Sequence, residues 1–447
     1  MSAGDVIFAC ATASGQAGVA VIRVSGDAAG ELFQVFTGKP PPAERRASLR
    51  RLIDPTDSAV LDQALTLWFP APHSFTGENT AELHVHGGAA VITGVMDGLA
   101  GIEGFRPAEP GEFTRRAFRN GKLDLAEAEG LGDLIAADTA AARRQALWQL
   151  EGGLSALYAD WRERLAVRLA FAEASLDFAD EPLPDDLEAA NREAILALRT
   201  ELEIQLGSNR PTERMRDGLY VALVGPPNVG KSSLLNSLAG RDAAIVTDIP
   251  GTTRDVMEVR LDIGGYPVLV ADTAGLRESE DVVEQEGMRR ARIAASNADI
   301  VITVAECQNW PNALADVTQG SSEKDSPNLV FWNKSDAVKV RPFLGDTKHA
   351  IWGSAKTGAG LDLLEDAIRH VAGHAFETGP PPGITQARHR VALEDCIAAL
   401  HRWEHALAPE LATEDLRLAM RSLGRVVGLV DVEDLLDRIF SAFCIGK

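Results

Sequence analysis

Directly after the apolar run Leu219 to Val224 stands Gly225-Pro226-Pro227-Asn228-Val229-Gly230-Lys231-Ser232-Ser233, a glycine-rich turn ending in a lysine and two hydroxyls. Glycines let successive backbone N–H groups curl around a phosphate, and a helix starting here presents its positive N-terminus to the same anion. In that arrangement Lys231 reaches the β and γ oxygens and Ser232 ligates Mg²⁺. A strand-to-helix turn that binds nothing is the competing reading, and three companions weigh against it. Val268 to Ala271 leads into Asp272-Thr273-Ala274-Gly275, where a carboxylate can hold Mg²⁺ through water and Gly275 can offer its N–H to a γ-phosphate. Leu329 to Trp332 ends at Asn333-Lys334-Ser335-Asp336, whose carboxylate can accept from both N1–H and the N2 amino group of guanine. Adenine lacks that donor pair, so ATP should be rejected. Ser354-Ala355-Lys356 is placed to give a backbone N–H to guanine O6. Four elements in this order on successive strand ends predict a GTP-binding α/β domain that uses Mg²⁺.

The hydrolytic machinery departs from the common pattern. Leu276 follows the Asp272 to Gly275 motif where many GTP hydrolases carry a water-positioning glutamine, so another group must orient the attacking water. Asn228, with backbone carbonyls of Thr247-Asp248-Ile249-Pro250-Gly251-Thr252-Thr253-Arg254-Asp255, could cage a monovalent cation that stabilises the transferring charge. Elsewhere, His84 and His86 alternate on a β-like run with His73 upstream. No third ligand is evident, so they read as polar packing and no transition metal is expected. Arg115, Arg116, Arg119 and Lys122 form a basic run that reads equally as a solvated helix face or as a contact for RNA or a partner. Cys444 reads either as a small buried hydrophobe near Phe440 and Phe443 or, the favoured reading, as a functional thiol on a flexible chain end.

These motifs must be positioned by a chain of 447 residues whose 44 basic side chains stand against 65 acidic ones, a formal net charge of −21. That balance argues against nucleic-acid binding through a generally basic surface, so any RNA partner must use a local patch. Cys10, Cys307, Cys396 and Cys444 are too dispersed for a paired metal site or a compact disulfide framework, which fits a reducing cytosol. The absence of an early basic cluster, and of any apolar run of about 18 residues, predicts no signal peptide, no membrane span and a cytoplasmic location.

The fold class expected is multidomain α/β plus α. Residues 1–120 mix short β-like runs, such as Val19 to Val24 and Leu65 to Phe69, with glycine and proline turns, and read as a small α+β domain. Residues 121–212 read as the first part of a helical domain. There Leu147, Leu150, Leu154, Leu157, Trp161, Leu165 and Leu169 predict one long amphipathic helix. After an acidic, proline-broken loop from Asp177 to Asp186, Ile195, Leu198, Leu202 and Leu206 resume the pattern. Residues 213–376 alternate buried strands with helices, as a P-loop α/β domain does, with 309–327 as a surface loop. Beyond Gly379-Pro380-Pro381-Pro382-Gly383, residues 377–447 return to helical spacing through Leu393, Ile397, Leu400 and Leu407, then Val432, Leu435, Ile439 and Phe443. One-sided helices on both flanks must bury their stripes, and one bundle with the α/β domain inserted into it does so.

Val19-Ala20-Val21-Ile22-Arg23-Val24-Ser25-Gly26, Glu82-Leu83-His84-Val85-His86-Gly87-Gly88, the Asn228 loop, the Thr247 to Asp255 stretch and Cys444-Ile445-Gly446-Lys447 carry a resemblance. Over essentially its whole length the chain resembles the bacterial and organellar tRNA modification GTPases of the MnmE (TrmE) family. The resemblance implies an N-terminal folate-binding domain that mediates homodimerisation, a helical domain and an inserted GTPase domain. It further implies a flavoprotein partner, MnmG, in a heterotetramer or larger complex, using FAD and a reduced nicotinamide. The pair would place an aminomethyl or carboxymethylaminomethyl group on C5 of the wobble uridine of certain tRNAs, the one-carbon unit coming from a methylenetetrahydrofolate. GTP hydrolysis would be activated by K⁺ when two GTPase domains meet.

By position, the resemblance gives Asn228, Thr247, Ile249 and Thr252 as K⁺ ligands, Ser232 and Thr253 as Mg²⁺ ligands, and Glu284 as the water-positioning group beside Lys231. Arg23, Glu82, Lys122 and Lys447 become the folate contacts. Two departures stand out: Ser14 to Gly18 lacks the Pro and Arg that members often show, and the strand ending Ala305-Glu306 lacks the common Asp. A GTP switch in ribosome assembly, or a scaffold gating a partner's active site, would use the same nucleotide motifs. The N-terminal domain and the terminal tetrapeptide discriminate, since an assembly GTPase more usually appends a recognisable RNA-binding module.

Overall fold

In the computed structural model, residues 5–13, 15–177, 185–208, 218–241, 257–272, 295–296, 298–309, 327–338, 350–377, 384–430, 436, 439–441, 443 and 446 are described. By contacts the chain forms two compact units, residues 1–132 with 424–447 and residues 133–423. In the first, alternating side chains build β1 (Val6–Cys10), β2 (Ala17–Ser25), β3 (Ser48–Ile53), β4 (Val60–Phe69), β5 (Thr80–Gly87) and β6 (Phe105–Pro107). They form one sheet in the order β3-β4-β5-β2-β1-β6, antiparallel except for β1 beside β6. On β2, Ala20, Ile22 and Val24 are buried while Val21 and Arg23 are half-buried. One face of the sheet therefore meets a core containing Phe8, Phe33, Leu83 and Leu99, supplied in part by α1 (Glu31–Thr37) and α2 (Ala89–Ala100). The other face carries Arg23 and Glu82, which are register partners across β2 and β5. After α3 (Glu112–Arg119) and α4 (Leu125–Ala136), the chain's last segment rejoins this unit. Leu436 and Phe440 are buried against Leu125 and Ala128, and the backbone at Gly446 lies against Cys10 and Ala11.

The second unit holds the helices α5 (Ala140–Leu150), α6 (Gly153–Asp177) and α7 (Asp185–Ser208). The single helix expected from Leu147 to Leu169 is thus two. The chain turns at Gly152, whose φ of +85° lies where side chains are rarely tolerated, and Leu147 is left 37% exposed. Leu154, Tyr158, Trp161, Leu165 and Leu169 keep the buried stripe on α6.

The α/β part follows with β7 (Leu219–Val224), α8 (Lys231–Arg241), β8 (Met257–Ile263), β9 (Tyr266–Asp272), β10 (Ile300–Glu306), β11 (Asn328–Asn333), β12 (Ala350–Trp352) and α9 (Leu361–Glu377). The sheet order is β12-β11-β10-β7-β9-β8, parallel except for the β8–β9 hairpin. Val221, Leu223, Val270, Ile302, Val304 and Phe331 are buried in one core with Leu234 and Leu238 of α8 and Leu364 and Ile368 of α9. Beyond it, α10 (Ala387–Glu404) packs on α7, so helical stripes from both sides of the α/β part meet, and α11 (Pro409–Val426) follows. Leu407, expected in a stripe, is fully exposed in the turn between α10 and α11.

Candidate functional site

The order of the second sheet makes β7 the switch point, with β10 on one side and β9 on the other, and a ligand is expected beyond the carboxyl ends of such strands. The glycine-rich turn lies there. Gly225 has φ +146° and touches the Val304 carbonyl where a Cβ would be; Gly230 has φ +98° with Asn333 in the equivalent position. No other residue fits either place. Asn228, at φ +63°, takes the left-handed conformation that asparagine tolerates better than most residues. Val229 is buried in the core and anchors the turn from beneath, and α8 starts at Lys231. Lys231 is buried as a residue, and its ammonium donates to the carbonyls of Gly225 and Pro226, both at 2.8 Å, which fixes its charge in the mouth of the turn.

Three sequence-distant motifs are tied together here by one side chain. Asn333, buried at the end of β11, donates from Nδ2 to the Val229 carbonyl at 2.8 Å and accepts at Oδ1 from the Ala355 N–H at 2.9 Å. Lys334 donates to the Asn228 carbonyl at 2.8 Å and pairs with Glu306 at the end of β10. Asp336 is exposed and accepts at 2.6 Å from the hydroxyl of buried Ser354; that hydrogen bond holds its carboxyl below the usual range. It is ionised at neutral pH, as an acceptor for two base N–H groups must be. Lys356 is exposed beside it and adds to the same shift. Ser232 and Ser233 stand exposed on the first turn of α8. Asp272 ends β9 in register with Leu223 of β7, which puts its backbone on the same side of the sheet. A hydroxyl and a strand-end aspartate beside a phosphate-binding turn are the oxygen donors Mg²⁺ favours, so these residues fit that ion.

Of the residues expected from sequence, Thr247, Asp248, Ile249, Pro250, Gly251, Thr252, Thr253, Thr273, Ala274, Gly275, Glu284, Cys444 and Lys447 lie outside the described residues, as does the Asp272 side chain. Asn228 is thus the described member of the expected K⁺ set.

A second site lies in the first unit. A cavity of about 330 Å³ is lined by Arg23, Glu82 and Lys122 together with Arg45, His73 and Phe75. The Arg23 guanidinium lies 3.0 Å from Glu82 Oε1 and stacks 5.4 Å from the Phe75 ring centroid. The other Glu82 oxygen meets His84 Nε2 at 3.2 Å. Lys122 donates to the Pro72 carbonyl at 2.9 Å, and Arg45 donates to the carbonyl of His73. A carboxylate able to accept from an aminopyrimidinone ring, an aromatic wall and two cations at the rim match the chemistry of a folate, and the volume is that of a small-ligand pocket. His86 instead turns to Asp62 at 2.8 Å and is 71% exposed, so the three histidines do not converge.

The basic run from Arg115 to Lys122 is not one patch. Arg116 is inserted between Glu112 at 3.2 Å and Glu78 at 3.0 Å, Arg115 stacks on Phe440, Lys122 lines the cavity, and Arg119 is exposed. Glu112 is buried and also bonded by Arg106 at 2.6 and 2.9 Å. Burial alone would raise its carboxyl; the Arg106 hydrogen bonds, the Glu109 N–H and the two guanidinium charges outweigh burial and hold it below the usual range. Sequence reading missed Arg45 and Phe75 at the cavity and Glu306 beside Lys334. The proline-rich turn that carries His73 and Phe75 offered a faint signal, and nothing in the spacing linked Glu306 to Lys334.

A family model described as the MnmE helical domain matches residues 125–444, and one described as the GTP-binding protein TrmE N-terminus matches residues 6–122. The tRNA modification GTPase MnmE of Parvibaculum lavamentivorans is 52% identical, covering 99% of this chain and 100% of that protein. Its namesake from Paramagnetospirillum magneticum is 50% identical, with 99% and 100% covered. Among solved structures, the G domain of the T. maritima FeoB iron transporter is 27% identical and aligns with a TM-score of 0.26 over 34% of this chain and 97% of that chain.

Proposed function

Because the chain belongs to the MnmE family of tRNA modification GTPases, we propose that it couples K⁺-activated GTP hydrolysis to modification of the wobble uridine of certain tRNAs. The partner is the flavoprotein MnmG, and the group added at C5 is aminomethyl or carboxymethylaminomethyl. The working form is a cytoplasmic homodimer that assembles with MnmG and tRNA. The observation that carries the guanine-nucleotide part is the convergence of the phosphate turn, Asn333 to Asp336 and Ser354 to Lys356 through the two hydrogen bonds of Asn333.

In this reading the backbone N–H groups from Asn228 to Ser233 and the Lys231 ammonium hold the β and γ phosphates. The Lys231 charge offsets the negative charge that builds on the phosphoryl oxygens in the transition state. Asp336 accepts from guanine N1–H and N2, and the Ala355 region faces O6. Asp272, Thr273, Ala274 and Gly275 sense the γ-phosphate. Ser232 and Thr253 would hold Mg²⁺, which when bound neutralises charge on the β and γ oxygens. Asn228 with Thr247, Ile249 and Thr252 would hold K⁺, with Asp248, Pro250 and Gly251 completing that loop, and Glu284 would orient the attacking water. In the first unit, Arg23, Glu82, Lys122 and Lys447 would hold a tetrahydrofolate, which carries the one-carbon unit. Glu82 would orient its ring and Phe75 would wall it, and Cys444 is the candidate functional thiol.

Purified protein should turn over GTP much faster in KCl than in NaCl, and ATP negligibly in either. Incubated in K⁺ with MnmG, GTP, the folate, a reduced nicotinamide, an amine donor and substrate tRNA, it should raise the modified uridine measured by mass spectrometry of digested nucleosides. Equal GTP rates in the two salts would refute the cation-activated cycle, and equal GTP and ATP turnover would refute the guanine site.

A further inference from the structure

Lys334 sits at a strained turn. Its φ of +63° is in the left-handed region, which strains a residue with a side chain and persists where surrounding contacts over-determine it. Two contacts do so: the ammonium donates to the Asn228 carbonyl at 2.8 Å and pairs with the Glu306 carboxylate. Glu306 ends β10 in register with Asn333 of β11, immediately beside the turn. Among the described residues it is the one carboxylate within ion-pair distance of Lys334. Two residues further on, Asp336 offers a second carboxylate on the same short helical turn. If the ammonium paired there, it would occupy the acceptor that a guanine base needs. Glu306 gives the lysine a partner at the end of the neighbouring strand, so the ammonium is engaged there while Asp336 keeps its hydrogen bond from Ser354.

We propose that Glu306 is a positioning residue for guanine-nucleotide retention: acting through Lys334, it locks the turn after β11 to the phosphate-binding turn and keeps the Asp336 carboxylate open to the base. This rests on reading Asn333 to Asp336 as the guanine site. The side chains of Lys334 and Glu306 are 40% and 23% exposed, so solvent screens the pair and the effect is moderate rather than all-or-none.

Release of a fluorescent N-methylanthraniloyl GDP from the full-length protein, chased with excess GDP in stopped flow, tests this. Binding of that nucleotide by the unaltered protein comes first, since its failure would sink the guanine reading itself. Given binding, Glu306→Gln should release GDP on the order of five-fold faster, and Glu306→Asp, which keeps the charge, should restore the rate to within about two-fold. Lys334→Gln should release faster as well. Adding Glu306→Gln to it should change nothing further, because the carboxylate acts through that lysine. A merely structural role would lower the melting temperature and leave the release rate alone. Unchanged release in Glu306→Gln, or effects of the two substitutions that multiply, would overturn the proposal. If Glu306→Gln alone does not fold, the double variant carries no uncompensated charge, and its comparison with Lys334→Gln decides the same question.

Discussion

Replacing Asn333 with alanine removes a side chain that bonds both the phosphate turn and the loop after β12. The carboxamide is 2% exposed, and its partners are the Val229 carbonyl at 2.8 Å and the Ala355 N–H at 2.9 Å, so water cannot simply replace it. Each buried group left without a partner costs about 1–3 kcal/mol, and with partial relaxation the total should be about 3 kcal/mol. For a domain of this size that is a fall of roughly 6–12 °C in melting temperature. Nucleotide affinity should fall as well, because Val229 and Ala355 belong to the two loops that must face the ligand together. Asn333→Asp is the sharper variant: an oxygen still accepts from Ala355, but a second oxygen now confronts the Val229 carbonyl and a charge is buried. It should be at least as damaging although it is nearly isosteric. Asn328, at the other end of β11, is the control, since its contact with Thr303 is a long 3.4 Å and truncation there should move stability by no more than about 0.5 kcal/mol. Thermal melts and calorimetric titration with GTP on the same samples give both numbers. An Asn333→Ala protein that melts within about 2 °C of the parent and binds GTP within two-fold would refute the claim that this residue joins the two loops.

Two further outcomes are expected. Asp336→Asn exchanges an acceptor for a donor, so GTP turnover should fall and xanthosine triphosphate, whose C2 carbonyl can accept that donor, should become the better substrate; unchanged preference in competition assays would remove Asp336 from the base site. Glu112→Gln should destabilise the protein by on the order of 3 kcal/mol at neutral pH, because it leaves two guanidiniums without their shared buried carboxylate. The folded carboxyl is held below its unfolded value near 4.3, so its stabilisation is full above that pH and is lost as pH falls through the lower, folded value. The gap between parent and variant in chemical denaturation should therefore close below about pH 4, and a gap independent of pH would show that the charge is not what stabilises.

What was legible in the sequence is what depends on local spacing. A turn that admits phosphate needs glycine where the chain touches Val304 and Asn333, and those needs appear as Gly225 and Gly230 within a few residues of Lys231. The carboxylate for a purine edge is likewise set by its place after a buried strand. Contacts between strands far apart in the chain left no such trace. Glu306 reaches Lys334 only because β10 and β11 lie side by side in register, and Ser354 reaches Asp336 only because β12 follows β11 in the sheet. The break at Gly152 could have been read, since two successive glycines interrupt the leucine stripe, but helical spacing survives a turn of that length and hides it. The basic run from Arg115 to Lys122 shows the same limit: spacing alone does not reveal that Glu78, from another part of the chain, and Glu112 enclose Arg116.

The fate of those charges bears on what the first unit can hold. In a chain with a net charge of −21, Arg23, Arg106 and Arg116 are each matched by a carboxylate within the unit. Arg45 and Lys122, at the rim of the 330 Å³ cavity, bond instead to the neutral carbonyls of His73 and Pro72 and, among the described residues, have no carboxylate partner. Two cations left uncompensated on one rim attract an anionic group over a few ångströms, whereas a polyanion would need a row of such residues to displace its counterions. A ligand with a ring for Glu82 and a carboxylate tail for Arg45 and Lys122 would use the carboxylate and both cations of the lining at once. For the folate proposed above, one carboxylate and two cations on the same lining would suit this cavity better than it would suit a stretch of tRNA backbone.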